Sequence, residues 1–290
     1  MIFVNGEEDH LILNSTVLDL NWSVTETKVR RFIRDYVEES GLDGVVMGLS
    51  GGIDSSTVAA LSALAIGGDK VLGLILPEQE TYDNRDVEDA KAIAKKFRIK
   101  TQMIDITSTL ETIYKSIPIF SSVDKQCKGN VKARTRAIFW YYYANRLHRL
   151  VCGSSDKSES MIGYFTKWGD IATDISPIMD LYKTQVRKLA HHIGIHESIT
   201  TKPSSPKLWP GHIAEKEIGI NYETLDLILY GLEHFMAINE IAKQLDMNKK
   251  IVQRIRNRWL SMEHKRRMPI TTKIGYRTLG ADFRLPQEHH

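Results

Sequence analysis

The sequence predicts a doubly wound α/β fold, a parallel sheet covered on both faces, with a helical extension toward its C-terminal end. Three observations carry this. Short apolar runs of strand character alternate with helix-spaced amphipathic stretches between residues 26 and 192, the pattern of a parallel sheet with right-handed crossover helices. A glycine-rich turn, Ser50-Gly51-Gly52, follows the first apolar run directly. Beyond residue 196 the periodicity is helical, and no linker rich in Gly, Ser or Pro separates it from the sheet. One domain over 1–290 follows, with a sheet core at about 25–195, a helical part at about 196–270 and a tail at 271–290. No internal repeat or low-complexity segment interrupts it.

Each element has its own reason. Residues 26–40 carry Val29, Phe32, Ile33, Tyr36 and Val37 at spacings of 3, 1, 3 and 1, one face of a helix that Gly41 stops. Residues 44–49 read as a buried strand, 50–54 as a turn, and 55–66, small and apolar, as a helix. Residues 71–76 form a second strand ended by Pro77. Residues 84–97 form a helix with Val87, Ala90, Ile93, Ala94 and Phe97 inward, and 102–106 a third strand. Residues 116–128, with Pro118 and few periodic apolar positions, are expected to be a mobile lid. A long helix at 131–146 carries the aromatic run Phe139 to Tyr143, expected to be buried at a subunit contact. A fourth strand at 150–152 and a short fifth element near 174–177 complete the sheet. Helices follow at 182–192, 222–233, 235–245 and 249–263. In the last, Ile251, Ile255, Trp259 and Met262 mark a packed face, so its Lys and Arg residues read as a solvated side rather than an RNA surface.

Composition narrows the class. At 42% hydrophobic and 26% charged residues, the chain is neither disordered nor collagen-like. The longest apolar run, 58–67, is far short of the ~20 residues of a membrane helix. The acidic N-terminus lacks the basic-then-apolar pattern of a leader, so a soluble cytoplasmic protein is expected. Cys127 and Cys152 form no CxxC pair, which argues against a structural zinc or redox dithiol. A net charge of +3 is weak for a nucleic-acid partner and suits a small anionic substrate. The terminal Glu288-His289-His290 reads as a tag remnant and is given no function.

The first strand delivers Ser50-Gly51-Gly52-Ile53-Asp54-Ser55-Ser56 to the carboxyl edge of the sheet, where open α/β folds bind ligands. Paired glycines let backbone approach an anion, and the next helix points free N–H groups and its positive dipole end there. Ser50, Ser55 and Ser56 add hydroxyls, making a phosphate cradle. No GxxxxGK[ST] or GxGxxG is present. Asp54 would repel a bare phosphate, but fits if Mg²⁺ lies between them. Helix capping explains one or two of these residues and leaves the rest unaccounted for.

SGGxDS after a strand resembles the pyrophosphate-loop ATPases, of the adenine nucleotide alpha hydrolase-like fold. These cleave ATP between the α and β phosphates. The motif alone leaves open NAD synthetase, GMP synthetase, argininosuccinate synthetase, tRNA-modifying thiolases and lysidine synthetase. Further segments narrow the field: Gly129 to Arg136, Gly153 to Glu159, Gly163 to Asp170, Asp174 to Lys183, Lys202 to Ser205, Leu208 to Gly211, Glu217 to Tyr222, and His264 to Arg267. Together, from about 25 to about 270 and in this order, they resemble ammonia-dependent NAD synthetase.

The resemblance implies that ATP is bound by Gly48, Leu49, Ser50, Gly51, Gly52, Ile53, Asp54, Ser55, Ser154, Lys183 and Ser205. It implies Mg²⁺ on Asp54 and Glu159, and deamido-NAD on Arg134, Lys167, Asp174, His264 and Lys265. Local readings compete for several of these residues: Glu159 as a helix first-turn acid, the serines as caps, Arg134 as part of a solvated basic face, and Trp168 as core rather than a stacking surface. Asp54, Lys183 and Asp174 are the expected catalytic groups, with Asp174 positioning or deprotonating ammonia. The implied reaction adenylates the nicotinate carboxylate, then ammonia displaces AMP to give NAD. Chain length leaves no room for a glutaminase domain, so free ammonia, or ammonia from a separate partner, is the expected donor, and the family implies a homodimer. The rival readings are a tRNA-modifying pyrophosphate-loop enzyme and a non-catalytic nucleotide-binding module.

Overall fold

Apolar, β-branched residues place β1 (Val45–Gly48) at the centre of the sheet, buried along Val45, Val46 and Met47. The computed structural model describes residues 11–278 and Asp282. The N-terminal stretch read for a leader, and His289-His290, lie outside these residues. Strands β2 (Val71–Ile75), β3 (Lys100–Met103) and β4 (Leu150–Val151) join β1 in the order β3-β2-β1-β4. All pairs are parallel, with Val45 opposite both Val71 and Leu150. The expected fifth element is a single parallel bridge, Cys152 to Ile175. Parallel pairing brings the ends of β1, β2 and β4 to one edge.

Helices α1 (Trp22–Ser40), α2 (Ile53–Ile66), α3 (Asn84–Lys96) and α7 (Lys183–His192) cover one face of the sheet. Their core joins Ile33, Met47, Val58, Leu61, Ile93 and Leu189. Helix α2 is buried on nearly all sides at its start, which its small apolar sequence permits. Helices α4 (Thr107–Ser116) and α5 (Lys125–Arg146) close the other face over Val46, Leu74, Ile106, Leu110 and Val151. The shorter helices are α6 (Lys157–Ile162), α8 (Glu197–Thr200) and α9 (Ala214–Ile218). Beyond them lie α10 (Tyr222–Glu233), α11 (Ile238–Gln244), α12 (Lys249–Ser261) and α13 (Glu263–Arg266). A separate core gathers Ile162, Tyr182, Tyr222, Leu229, Ile241 and Ile255 with Leu13 and Leu18 from the other end of the chain. Among the described residues no helix is long and apolar enough to cross a membrane.

Several elements differ from expectation, each for a local reason. Helix α1 starts four residues early because the Asn21 side chain accepts from Val24 N–H, and Phe32 and Tyr36 of the expected inner face stand exposed. Strand β3 lies two residues earlier than read, on an open edge with all four residues exposed, so it lacks the apolar pattern of a buried strand. Asp105 then accepts from Thr107 N–H and starts α4, which periodicity did not reveal. Asp124 caps α5 through Cys127 N–H, so the end of the expected lid is already helix. Helix α11 begins three residues late, since Phe235 adopts φ 59° and is 95% exposed. On α12 the fully buried positions are Val252 and Ile255 rather than Ile251, Trp259 and Met262. The aromatic run of α5 is half-buried, and its Tyr142 is exposed.

Candidate functional site

The turn after β1 is built as the sequence suggests. Leu49 N–H continues the ladder to Leu74 O at 2.9 Å, and the chain then reverses at Gly51, φ +76°. A Cβ at Gly51 would lie 2.1 Å from Asp86 O, so the turn presses backbone against backbone on α3, and only glycine fits. Ser50 Oγ and Ser55 Oγ lie 2.9 Å apart, and Ser55 Oγ donates to Gly52 O at 3.2 Å. Gly52 is the N-cap of α2 and has no side chain to cap it. The first-turn N–H groups therefore lack an intramolecular acceptor, the arrangement that receives an anion.

Beside this turn stands a carboxylate cluster. Asp54, Asp156 and Glu159 each offer an oxygen within 4.8 Å of the others. Lys183 Nζ sits among them, 2.7 Å from Asp54 Oδ2, 2.7 Å from Asp156 Oδ2 and 2.9 Å from Glu159 Oε1. Asp156 and Lys183 are fully buried. Asp156 is the N-cap of α6, its Oδ1 accepting from Glu159 N–H at 2.8 Å. Position N3 then puts Glu159 on the same helix turn as its cap. Burial lifts Glu159 to about 8, against the pull of the Lys183 ammonium. Burial lifts Asp156 as well. Three carboxylates face one ammonium, and Asp54 Oδ1 is buried without a hydrogen-bond partner, so the donor set has room for a further cation. Its all-oxygen character suits a hard divalent ion.

A second tier orients this cluster. Tyr222 Oη donates to Glu159 Oε1 at 3.2 Å, and its ring lies 5.2 Å from Lys183 Nζ. Ser158 Oγ accepts from Lys183 N–H at 2.8 Å and donates to Asp226 Oδ1 at 2.5 Å. Thr184 N–H and Oγ1 both donate to Asp226 Oδ2.

The turn and cluster open into a cleft of about 660 Å³. Its wall includes Gly48, Leu49, Ser50, Gly52, Ile53, Asp54, Ser55, Ser154, Glu159 and Ser205. Arg134, Lys167, His264 and Lys265 line it too, so these residues from three separate segments do converge. Arg134 donates to Lys167 O at 3.2 Å, and Lys167 Nζ to His264 O at 2.5 Å. Lys265 Nζ donates to Gly163 O at 2.6 Å and to Phe165 O. These bonds draw the chain after α12 onto the segment after α6. Trp168 is half-exposed with Lys167 Nζ 5.2 Å from its ring, rather than core.

Three expected residues lie elsewhere. Gly51 shapes the turn from behind. Lys183 is buried beneath the carboxylates and is not part of the cleft wall, and its ammonium is paired with all three of them. Asp174 also stands off the wall: its Oδ1 accepts from Tyr141 Oη at 3.0 Å and its Oδ2 from Val151 N–H at 2.7 Å. Sequence reading gives Asp156 no role, although an acid three residues before Glu159 at a helix start was the available signal. Lys202 was likewise unread. Its Nζ donates to Gly51 O at 3.1 Å and Asp86 Oδ1 at 3.0 Å, and also reaches Asp89, tying the turn to α3. Neither cysteine is placed for chemistry: Cys152 is buried, its thiol pushed up to about 12 by desolvation, and Cys127 is exposed and held up by Asp124.

A family model described as NAD synthase matches residues 25–269. The NH(3)-dependent NAD(+) synthetase of Methanocaldococcus jannaschii is 46% identical over 249 residues, 85% of this chain and 95% of that protein. The solved structure of an NMN synthetase from Francisella tularensis superposes with a TM-score of 0.78 at 30% identity, covering 88% of this chain and all of that one. An NH3-dependent NAD synthetase from Campylobacter jejuni, in complex with nitrate, gives 0.73 at 30% identity over the same shares.

Proposed function

This chain belongs to the NAD synthase family, and we infer that it amidates deamido-NAD with ammonia, consuming ATP and releasing AMP and pyrophosphate. The observation that carries this reading is a juxtaposition. An uncapped helix N-terminus and a carboxylate cluster adjoin a cleft that Arg134, Lys167, His264 and Lys265 also line.

The nicotinate carboxylate and the α-phosphate are both anions, so the barrier to adenylation is largely electrostatic. We assign the first-turn N–H groups of α2, with Ser50, Ser55 and Ser154, to the ATP phosphates, and Ser205 to the facing wall. Gly48 has no Cβ, and one would lie 2.8 Å from the Trp140 ring, which keeps that wall thin. We assign Arg134, Lys167, His264 and Lys265 to the phosphates and carboxylate of deamido-NAD. Asp54 and Glu159, with Asp156, are the residues that would hold Mg²⁺. When bound there, Mg²⁺ neutralises triphosphate charge and stabilises the leaving pyrophosphate. Lys183 keeps the three carboxylates together. Ammonia attacks the acyl-adenylate directly, and no protein nucleophile is required.

We also read the chain as one domain, a cytoplasmic protein and a homodimer. The core shared by Leu13, Leu18 and the C-terminal helices supports the single domain, and the exposed Ile138 and Tyr142 on α5 support the homodimer.

The test is incubation with deamido-NAD, MgATP and ammonium, which should yield NAD and AMP in equal amounts. Replacing deamido-NAD by tRNA should yield neither. Asp54→Ala should lower turnover by at least about 10³-fold, and undiminished NAD formation would reject the metal role. The likeness to an NMN synthetase favours one second reading, amidation of the mononucleotide. A kcat/KM higher for nicotinate mononucleotide than for deamido-NAD would establish it.

A further inference from the structure

Near neutral pH most ammonia is ammonium, whose nitrogen has no lone pair until a proton leaves. Asp174, the expected acceptor, is off the cleft wall with both oxygens engaged. His212 lies on that wall. Its Nε2 is 2.6 Å from Glu217 Oε2 and 2.9 Å from Tyr164 Oη, and Tyr164 donates to the same Glu217 oxygen at 2.7 Å. A carboxylate only accepts, so this network assigns the ring N–H to Nε2 and leaves Nδ1 a bare lone pair. His212 is 6% exposed, and its Nδ1 has no partner. Trp209 stacks on the ring at 3.5 Å and 12°, and Tyr164 meets it edge-on. A buried unpaired acceptor is costly, and a ligand hydrogen would remove that cost. A carboxylate, an oriented imidazole and a buried, unpartnered nitrogen on a residue of the cleft wall make the arrangement of a general base.

We propose that His212 Nδ1 accepts the proton that converts bound ammonium into the attacking ammonia, a role that rests on the amidation reading above. The N–H bond breaks toward Nδ1 and its electron pair stays on the ammonium nitrogen. That pair forms the C–N bond at the acyl carbon of the adenylate. The carbon–oxygen bond to AMP breaks, and its electrons leave on the AMP phosphate. The second surplus proton, from the new C–N nitrogen, goes to water. Glu217 is a positioning residue: it fixes the tautomer and faces the imidazolium as it forms. The other groups around this pair are Tyr164, Arg258 of α12 with its guanidinium 5.8 Å from the Tyr164 ring, and Lys265. Burial outweighs Glu217 and holds His212 below its ordinary value, so the ring is neutral at pH 7.

The experiment compares wild type with His212→Gln and Glu217→Gln in two assays. One is deamido-NAD-dependent ATP–pyrophosphate exchange, which reports adenylation alone. The other is amide formation with ammonium or with hydroxylamine, which is already a free base at neutral pH. His212→Gln should lose about 10²–10³-fold in kcat/KM for ammonium at pH 7, keep exchange within about twofold of wild type, and be largely restored by hydroxylamine. Its ammonium rate should climb about tenfold per pH unit with the free-ammonia fraction, where wild type reaches a plateau. Glu217→Gln should move the start of that plateau to lower pH. An ammonium rate and profile unchanged in His212→Gln overturn the proposal, and so does an equal loss in exchange and with hydroxylamine. Should that variant not fold, a wild-type profile that climbs without a plateau overturns it equally. Absence of exchange in the wild type would instead sink the amidation reading itself, and the acceptor with it.

Discussion

Lys183 is the residue whose surroundings the sequence disclosed least. The resemblance implies a phosphate contact for Lys183, a lysine opening a helix after Pro177, where a cation is unfavourable on its own. Three carboxylates within 2.9 Å offset that cost in this structure. Breaking a buried ion network by removing one partner typically costs about 3–5 kcal/mol. Lys183→Met should therefore lower the unfolding free energy by that amount in urea titrations, because it leaves Asp156 and Glu159 buried without a cation. Added Mg²⁺ should raise the melting temperature of Lys183→Met more than that of wild type. An equal rise in both would mean that the carboxylates do not share a cation site. Asp156 makes the same point from the other side: one acid in a Gly153-to-Glu159 segment gives no sign, in sequence, that it is buried against a lysine 27 positions away.

At the scale of elements, α2 and α3 form a clamp around the phosphate turn. The uncapped start of α2 was legible, since Gly51-Gly52 before a small apolar helix permits little else. The clamp was not, because it depends on Lys202 reaching back to Gly51 O and Asp86 from the far side of the cleft. Lys202→Met removes that tie while leaving the turn's own hydrogen bonds. Its contacts are partly solvated, so stability should fall by no more than about 1 kcal/mol. KM for ATP should rise about tenfold with kcat nearly unchanged, the signature of lost uniform binding. Steady-state kinetics at varied ATP decide this, and a fall in kcat with KM unmoved would count against the clamp. The short α13 belongs to the same logic: Lys265 ends on the carbonyls of Gly163 and Phe165, which brings His264 to the cleft from a point remote in sequence.

For the whole molecule, the seam between the sheet and the helical part is polar at its centre. Asp226 of α10 is fully buried there, bonded to Ser158 and Thr184, and burial lifts it to about 7. Unfolding returns it to 3.8. A folded value above the unfolded one means that this stabilising contribution is complete below about pH 4 and is lost as pH rises through 7. Wild type should accordingly lose more stability than Asp226→Asn between pH 4 and 8, by up to about 4 kcal/mol. Parallel pH dependences in the two proteins would show that Asp226 is already ionised throughout that range. What the sequence alone determined is what local chemistry determines: alternating periodicity gave the parallel sheet, the glycine pair gave the turn, and ordered short segments gave the family. Only the tertiary structure decided which charges meet. Asp54, Asp156, Glu159 and Lys183 come from three segments, and Tyr164 meets His212 and Glu217 from a second one, and whether a charge is solvated, paired or left with a bare nitrogen depends on neighbours that no local pattern specifies.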